Sequence, residues 1–162
     1  MEKQEAERLV EAYGDAVYRL AYARTGSRED AEDVTQETFL RLVRAQPKLR
    51  DEEHCRAWLL RVAMNCAADL HRSAWRKRTR PLEEAERLSA PEEEAENGVA
   101  EAVLALPERY RAVVHLYYYE ELSVAEIAAI LGKREGTVNT RLCRARAMLR
   151  TALEDVEVAQ GV

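Results

Sequence analysis

Long apolar runs are missing from this 162-residue chain. None approaches the roughly 20 residues that a membrane-crossing helix requires, which excludes a helical bilayer span. The first residues, MEKQEAERL, carry no apolar signal-peptide core, so the expected compartment is the cytoplasm. Cysteine is scarce and odd in number: Cys55, Cys66 and Cys143, with no CxxC pair. That argues against a disulfide framework or a zinc knuckle and for packed, reduced thiols. Six glycines and four prolines are too few for a turn-rich β fold. The three histidines, His54, His71 and His115, lack HExxH-type spacing, and no GxGxxG or Walker loop is present. Glutamates pair mainly in a polar stretch where nothing would tune their pKa values. No catalytic, metal-binding or cofactor-binding residue is therefore assigned, and the chain does not read as an enzyme.

What remains is dominated by Ala, Leu, Glu and Arg, strong helix formers. The expected fold class is all-α. A net charge of −5 conceals an uneven distribution. HRSAWRKRTR, residues 71–80, holds five Arg or Lys and no acid. EEAERLSAPEEEAE, residues 83–96, holds seven Glu and one Arg. KREGTVNTRLCRARAMLR, residues 133–150, holds six basic residues and one acid. Two basic patches are thus separated by an acidic strap.

Periodicity places the helices. A first runs from about Gln4 to Thr25, with Leu9, Tyr13, Val17 and Leu20 on one face. Gly26 stops it, and Ser27 with Asp30 reads as the cap of a second. The second continues to about Ala45 on an inner stripe of Ala31, Val34, Thr38, Phe39 and Leu42, and Pro47 ends it. Asp33, Gln36 and Glu37 form its acidic outer face, which composition alone reads as an ordinary solvated surface. Lys48–Cys55 reads as a charged loop. A third helix spans about Arg56 to Arg78, with Leu59, Val62, Ala63, Cys66 and Leu70 inward. Arg61, Asn65, Asp69, Arg72 and Arg76 share another face, with Lys77 beside them. Trp58 suits the core, whereas Trp75, among arginines, suits either the core or stacking on a base. Residues 79–97 are too poor in large apolar side chains to fold alone and read as a linker. The expected domains are 1–78 and 98–155.

In the second domain Val99–Leu106 is a short helix, and Pro107 fits the first turn of the next. Ser123 and Glu126 form an S-x-x-E capping box, Val124, Ile127, Ala128 and Leu131 a helical stripe, and Gly132 a left-handed stop. A longer basic helix follows, with Val138, Leu142, Ala145 and Leu149 inward. A short capped helix, a Gly turn and a basic helix make the helix-turn-helix signature. Gly136, Thr140, Cys143, Arg144 and Ala147 lie opposite the inner stripe, with Asn139 on the flank. Small and polar groups there suit a major groove, where Asn and Thr bond base edges and Arg reaches guanine or phosphate. Arg134 stands where Ser or Asp would cap better.

Three stretches, DAEDVTQETFLRL, RAWLLRVAMNCAADLHR and ALPERYRAVVHLYYYEELSVAEIAAILGKREGTVNTRLCRARAMLR, resemble the extracytoplasmic-function (ECF) group of bacterial RNA polymerase sigma factors. The resemblance covers nearly the whole chain in the right order. It implies two helical domains, sigma region 2 and region 4, joined by a flexible acidic linker that threads the RNA exit path. It implies transcription initiation through core RNA polymerase, with double- and single-stranded promoter DNA as the other partner. Asp33, Gln36 and Glu37 match the surface that docks on the β′ clamp helices, and region 4 meets the β flap. Arg61, Asn65, Asp69, Arg72, Arg76 and Lys77 match the reader of the −10 element, Asn65 holding a flipped base in a pocket completed by the Lys48–Cys55 loop. Lys133, Arg134, Thr137, Asn139, Thr140, Arg141, Cys143 and Arg144 match the −35 reader. The resemblance further implies an anti-sigma factor as partner and a monomer when free. The chain departs from the pattern at Cys55, where Phe is usual, and at His71, where a second Arg is common.

Two other classes compete. A stand-alone dimeric regulator accounts for the helix-turn-helix but leaves Asp30–Phe39 and the Asn65 helix unexplained, and it predicts a palindromic site. A helical adaptor without a DNA role leaves both basic clusters unexplained.

Overall fold

The computed structural model describes residues 2–77 and 98–159, with side-chain surroundings for 2–70 and 98–155. Every regular element among them is helical. These are α1 (Lys3–Thr25), α2 (Arg28–Ala45), α3 (Glu52–Lys77), α4 (Val99–Leu104), α5 (Glu108–Val114), a π-helical turn (His115–Tyr119), α6 (Val124–Leu131) and α7 (Glu135–Ala159). The expected linker, 79–97, lies outside the described residues.

The first unit is a bundle of α1, α2 and α3. Leu9, Val17 and Leu20 from α1 meet Ala31, Val34, Thr38, Phe39 and Leu42 from α2 and Leu59, Ala63 and Cys66 from α3, all buried. Gly26 closes α1 with φ at 74°, a left-handed conformation that costs glycine little. Its N–H donates to the Tyr22 carbonyl at 2.7 Å. Ser27 caps α2, its Oγ accepting from the Asp30 N–H at 3.2 Å. Gln46, just before Pro47, takes a left-handed φ of 44° and ends α2.

One boundary corrects the sequence reading. The charged loop stops at Asp51, because Glu52–Cys55 already belong to α3. Asp51 Oδ1 accepts from the His54 N–H at 2.8 Å, and Glu52 and Glu53 occupy the first turn, where acids suit the helix dipole. Cys55 is consequently a buried residue of α3 rather than a loop tip. Likewise α4 ends at Leu104 rather than Leu106.

In the second unit both halves of the Ser123–Glu126 capping box are made: Glu126 N–H to Ser123 Oγ at 3.1 Å and Ser123 N–H to Glu126 Oε1 at 2.8 Å. Gly132 ends α6 with φ at 66° and open space where a Cβ would stand, so its backbone conformation, not crowding, requires glycine. Val103, Leu106, Tyr110, Val114 and Ala145 close α4 and α5 onto α7.

The two units then share a core. Val113, Leu116, Leu122, Ile127, Ile130, Val138 and Leu142 join the buried residues of the first bundle in one cluster. α5 lies on α1, and α6 lies on α3. This gives α3 a second buried stripe, Leu60 and Ala67 with half-buried Met64 between them, at helical spacing.

A charged seam accompanies the apolar one. Glu120 follows the π-helical turn and is only 3% exposed. Its carboxylate accepts from Arg19 Nε at 3.2 Å and Arg56 Nη2 at 2.9 Å, and lies 2.9 Å from His115 Nε2. Arg56 also donates to the Glu120 carbonyl at 2.8 Å. A second pair, Arg24 with Glu108, spans the same boundary. Burial pushes the Glu120 carboxyl up, but hydrogen bonds from His115, Arg19 and Arg56 outweigh it and hold the group at about 2, below the ordinary 4.5. Each pKa unit is worth about 1.4 kcal/mol, so the carboxylate contributes on the order of 3 kcal/mol.

The sign follows from linkage. A depressed carboxyl stabilises fully above its ordinary pKa and loses that contribution as pH falls toward its folded value. Glu120→Gln is expected to lower the melting temperature throughout pH 5–8. The gap to the parent protein should close between about pH 4.5 and 2. Thermal melts of both proteins across pH check this, and a gap that persists undiminished at pH 2 would contradict it.

Candidate nucleic-acid interface

The start of α7 carries the residues expected to face a groove. Val138, Leu142 and Ala145 are buried, while Gly136, Asn139, Thr140, Cys143 and Arg144 are exposed on the opposite side. Thr137 and Arg141 are half-buried at the edges. Lys133 and Arg134 are exposed just before the helix, and the Arg134 carbonyl accepts from the Thr137 and Val138 N–H groups. This backbone start leaves the Arg134 side chain in solvent rather than folded back as a cap.

Two side chains outside the sequence-derived set belong to this surface. Arg109 and Tyr110 of α5 line a cleft of about 380 Å³ together with Gly136, Thr140, Arg141 and Arg144. The Tyr110 phenol is held below its ordinary pKa by hydrogen bonds to Arg144 and then Arg109. Arg109 also stacks over the Tyr110 ring at 4.7 Å. Arg144 thus shares the cleft with Arg109 and Tyr110 of α5. A signal was available: Arg109 sits in the first turn of its helix, where the dipole disfavours a cation.

Not every arginine of the basic stretch faces outward for a ligand. Arg146 donates to the Tyr118 hydroxyl at 2.7 Å and lies over the Tyr117 and Tyr118 rings. It ties α7 to the π-helical turn.

On α3, Arg61, Asn65 and Asp69 are exposed on one face as expected. The side chains of Arg72, Arg76, Lys77, His71 and Trp75 lie outside the described residues. Trp58 is half-buried against the core. Asn65 lines a cleft of about 320 Å³ whose other walls include Arg24, Glu108, Arg109, Lys133 and Arg141. The α3 face and the approach to α7 thus meet across one opening. Asp69 faces Arg41 Nη2 at 3.4 Å.

The acidic face of α2 is more engaged than its sequence suggests. Asp33 and Gln36 are exposed, but Glu37 accepts from Arg41 Nε at 3.0 Å and lies 3.9 Å from Arg44. Arg41 therefore links Glu37 on α2 to Asp69 on α3. Around this link Asp33, Cys66 and Leu70 help line a cleft of about 340 Å³. Cys55 and Cys66 are buried, and burial raises both thiols, in Cys66 against a Thr38 hydrogen bond. Cys143 is exposed on the α7 face. No group of His, Cys, Asp and Glu among the described residues is placed to hold a metal ion. No helix among them is long and apolar enough to cross a membrane.

Comparisons with known proteins agree with this layout. Residues 9–77 match the family Sigma-70 region 2, and residues 97–149 match Sigma-70, region 4. The chain is 37% identical over 155 residues to the ECF RNA polymerase sigma factor SigE of Mycolicibacterium smegmatis, covering 90% of this chain and 60% of that protein. It thus spans three-fifths of SigE's length. It is 33% identical over 165 residues to the ECF RNA polymerase sigma factor SigW of Bacillus subtilis, covering 91% of this chain and 88% of that one. Among solved structures, CnrH in complex with the cytosolic domain of CnrY aligns with a TM-score of 0.68 at 29% identity, covering 95% of this chain and 90% of that chain. The sigma factor RpoE from Bartonella quintana, solved with the anti-sigma factor NepR, shares the fold with a TM-score of 0.70 at 22% identity, covering 94% and 96%. With both sigma regions in order and SigW matched over most of its length, this chain belongs to the ECF RNA polymerase sigma factors.

Proposed function

We propose that the chain recruits core RNA polymerase to promoters, reads the −35 element with α7 and the −10 element with the exposed face of α3, and promotes melting there. The observation that carries this is the α7 face. Asn139, Thr140, Cys143 and Arg144 are exposed directly opposite a buried stripe, with Arg144 beside Tyr110 in one cleft. Polar groups fixed on a docked helix are what base-edge readout in a major groove requires. Lys133, Arg134 and Arg141 flank that face, where they neutralise phosphate. Thr137, whose N–H donates to the Arg134 carbonyl, stands between them.

On α3, Asn65 offers both an amide donor and an acceptor to an extruded base. Arg61, Arg72, Arg76 and Lys77 supply charge along the same helix, and Asp69 orients Arg41. Asp33 and Gln36, with Glu37 behind them, form the polymerase-docking face toward the β′ clamp helices, and the second unit meets the β flap. An anti-sigma factor completes the partner set. CnrH, a relative by fold and sequence, was solved in complex with the cytosolic domain of CnrY, which supports a regulatory protein as partner here. The free chain is read as a monomer.

Run-off transcription with purified chain, bacterial core polymerase and genomic promoter fragments is expected to give factor-dependent start sites with shared upstream sequences. Failure of the chain either to bind core or to direct initiation, while forming a dimer on a palindrome, would replace this reading with a stand-alone regulator.

Arg144→Ala is expected to weaken promoter recognition by roughly 1–3 kcal/mol if the contact is bidentate to a base. Tyr110→Phe, which removes only the tethering hydroxyl, should show a smaller loss of the same kind. Competition binding with −35 variants measures both, and an unchanged preference in Arg144→Ala would remove it from the reader.

Asn65→Ala is expected to impair open-complex formation while leaving affinity for core polymerase unchanged. Permanganate footprinting beside a core-binding titration separates the two. Loss of core binding would assign Asn65 a structural role instead.

A further inference from the structure

Resting on the sigma reading above, the two DNA readers must reach elements about 25 base pairs apart, on the order of 85 Å along a duplex at roughly 3.4 Å per step. Here they do not stand apart. Asn65, Lys133 just before α7 and Arg141 within it line one cleft of about 320 Å³. A promoter cannot be engaged at both elements in this arrangement. The units have to separate first, and the interface between them has to break.

We propose that the closed arrangement is the resting state of the free chain, and that Glu120 is the latch that holds it shut and lowers affinity for core polymerase. Glu120 belongs to the second unit, whereas Arg19 (α1) and Arg56 (α3) belong to the first. Arg56 grips the carboxylate and the Glu120 carbonyl together. The Glu120 side chain is 2% exposed, so losing one arginine leaves a buried charge short of partners. The seam therefore opens as a unit rather than contact by contact. Val113, Leu116, Leu122 and Ile130 are buried in the same shared core, so opening presents apolar surface that a partner must cover. Twenty residues separate Lys77 from Gly98, a contour of roughly 66 Å at about 3.3 Å each, enough to let the units part.

When only the open fraction is competent to bind, apparent affinity falls by that fraction. Weakening the latch should therefore strengthen binding. The test uses the full chain as Glu120→Gln, Arg19→Ala and Arg56→Ala. The Arg19 side chain is 51% exposed, so its truncation leaves the core filled. Circular dichroism reports helix content, small-angle scattering reports size, and titration onto core polymerase reports affinity. The parent chain is expected to scatter with a radius of gyration of about 15 Å, as a compact chain of this length does. The variants should keep their helix content, scatter several ångströms larger, and bind core polymerase roughly 3- to 10-fold tighter. A parent chain already extended in solution would overturn the proposal. So would variants that stay folded and as compact as the parent, or that open yet bind no tighter than a parent that does bind. If the variants open and neither they nor the parent binds polymerase, the latch survives as a device of domain closure and the sigma reading fails instead.

Discussion

A carboxylate removed from water must be compensated where it sits, and Glu120 takes its cationic partners, Arg19 and Arg56, from the other half of the molecule, with His115 of its own half in hydrogen-bond reach. That requirement sets the relation between the two units. α5 lies on α1 and α6 on α3 because the charged seam and the apolar one coincide. The position of α7 follows, since it packs on α5 and α6. Asn65 and Lys133 share a cleft because α3 packs on α6, which ends just before Lys133.

Charge elsewhere is divided in a way that net charge does not reveal. Arg41 serves Glu37 and Asp69 at once, joining the acidic face of α2 to the polar face of α3. Arg146 is held by two tyrosines, and Arg111 is buried with its guanidinium on the Leu104 and Arg24 carbonyls. Arg111 is thus withdrawn from solvent, and Arg41 and Arg146 are engaged by side-chain partners. Arg134 and Arg144 are among the arginines that stay exposed, and in the proposed reading they meet phosphate or a base edge.

Much of each unit could be read from spacing alone. The inner stripes of α2 and α7, the cap at Ser27, the box at Ser123 and the stop at Gly132 are local signals, each complete within a few residues. The α3 start is hard to read because a run of charges resembles a loop, although Asp51 followed by two glutamates is a helix opening. Leu60 and Ala67 were missed for a different reason. Their partner lies on α6, some 60 residues away, and no periodicity within α3 reports a second packing side. Glu120 was illegible for the same cause: one acid in YYYEEL is marked out only by arginines from two distant helices. The candidate reader residues are visible as exposed polar positions, but the place of Tyr110 beside Arg144 emerges only when α5 is laid on α7.

The units are joined by a single covalent tether of twenty residues between Lys77 and Gly98. Closure is therefore a unimolecular event, with one half meeting the other at a local concentration on the order of millimolar. An interface too weak to hold two separate proteins together suffices under that condition. Its occupancy is also independent of how many copies the cell contains. Under the proposed latch, raising the abundance of the chain multiplies closed and open molecules in the same ratio, so dosage alone does not change the fraction poised to bind.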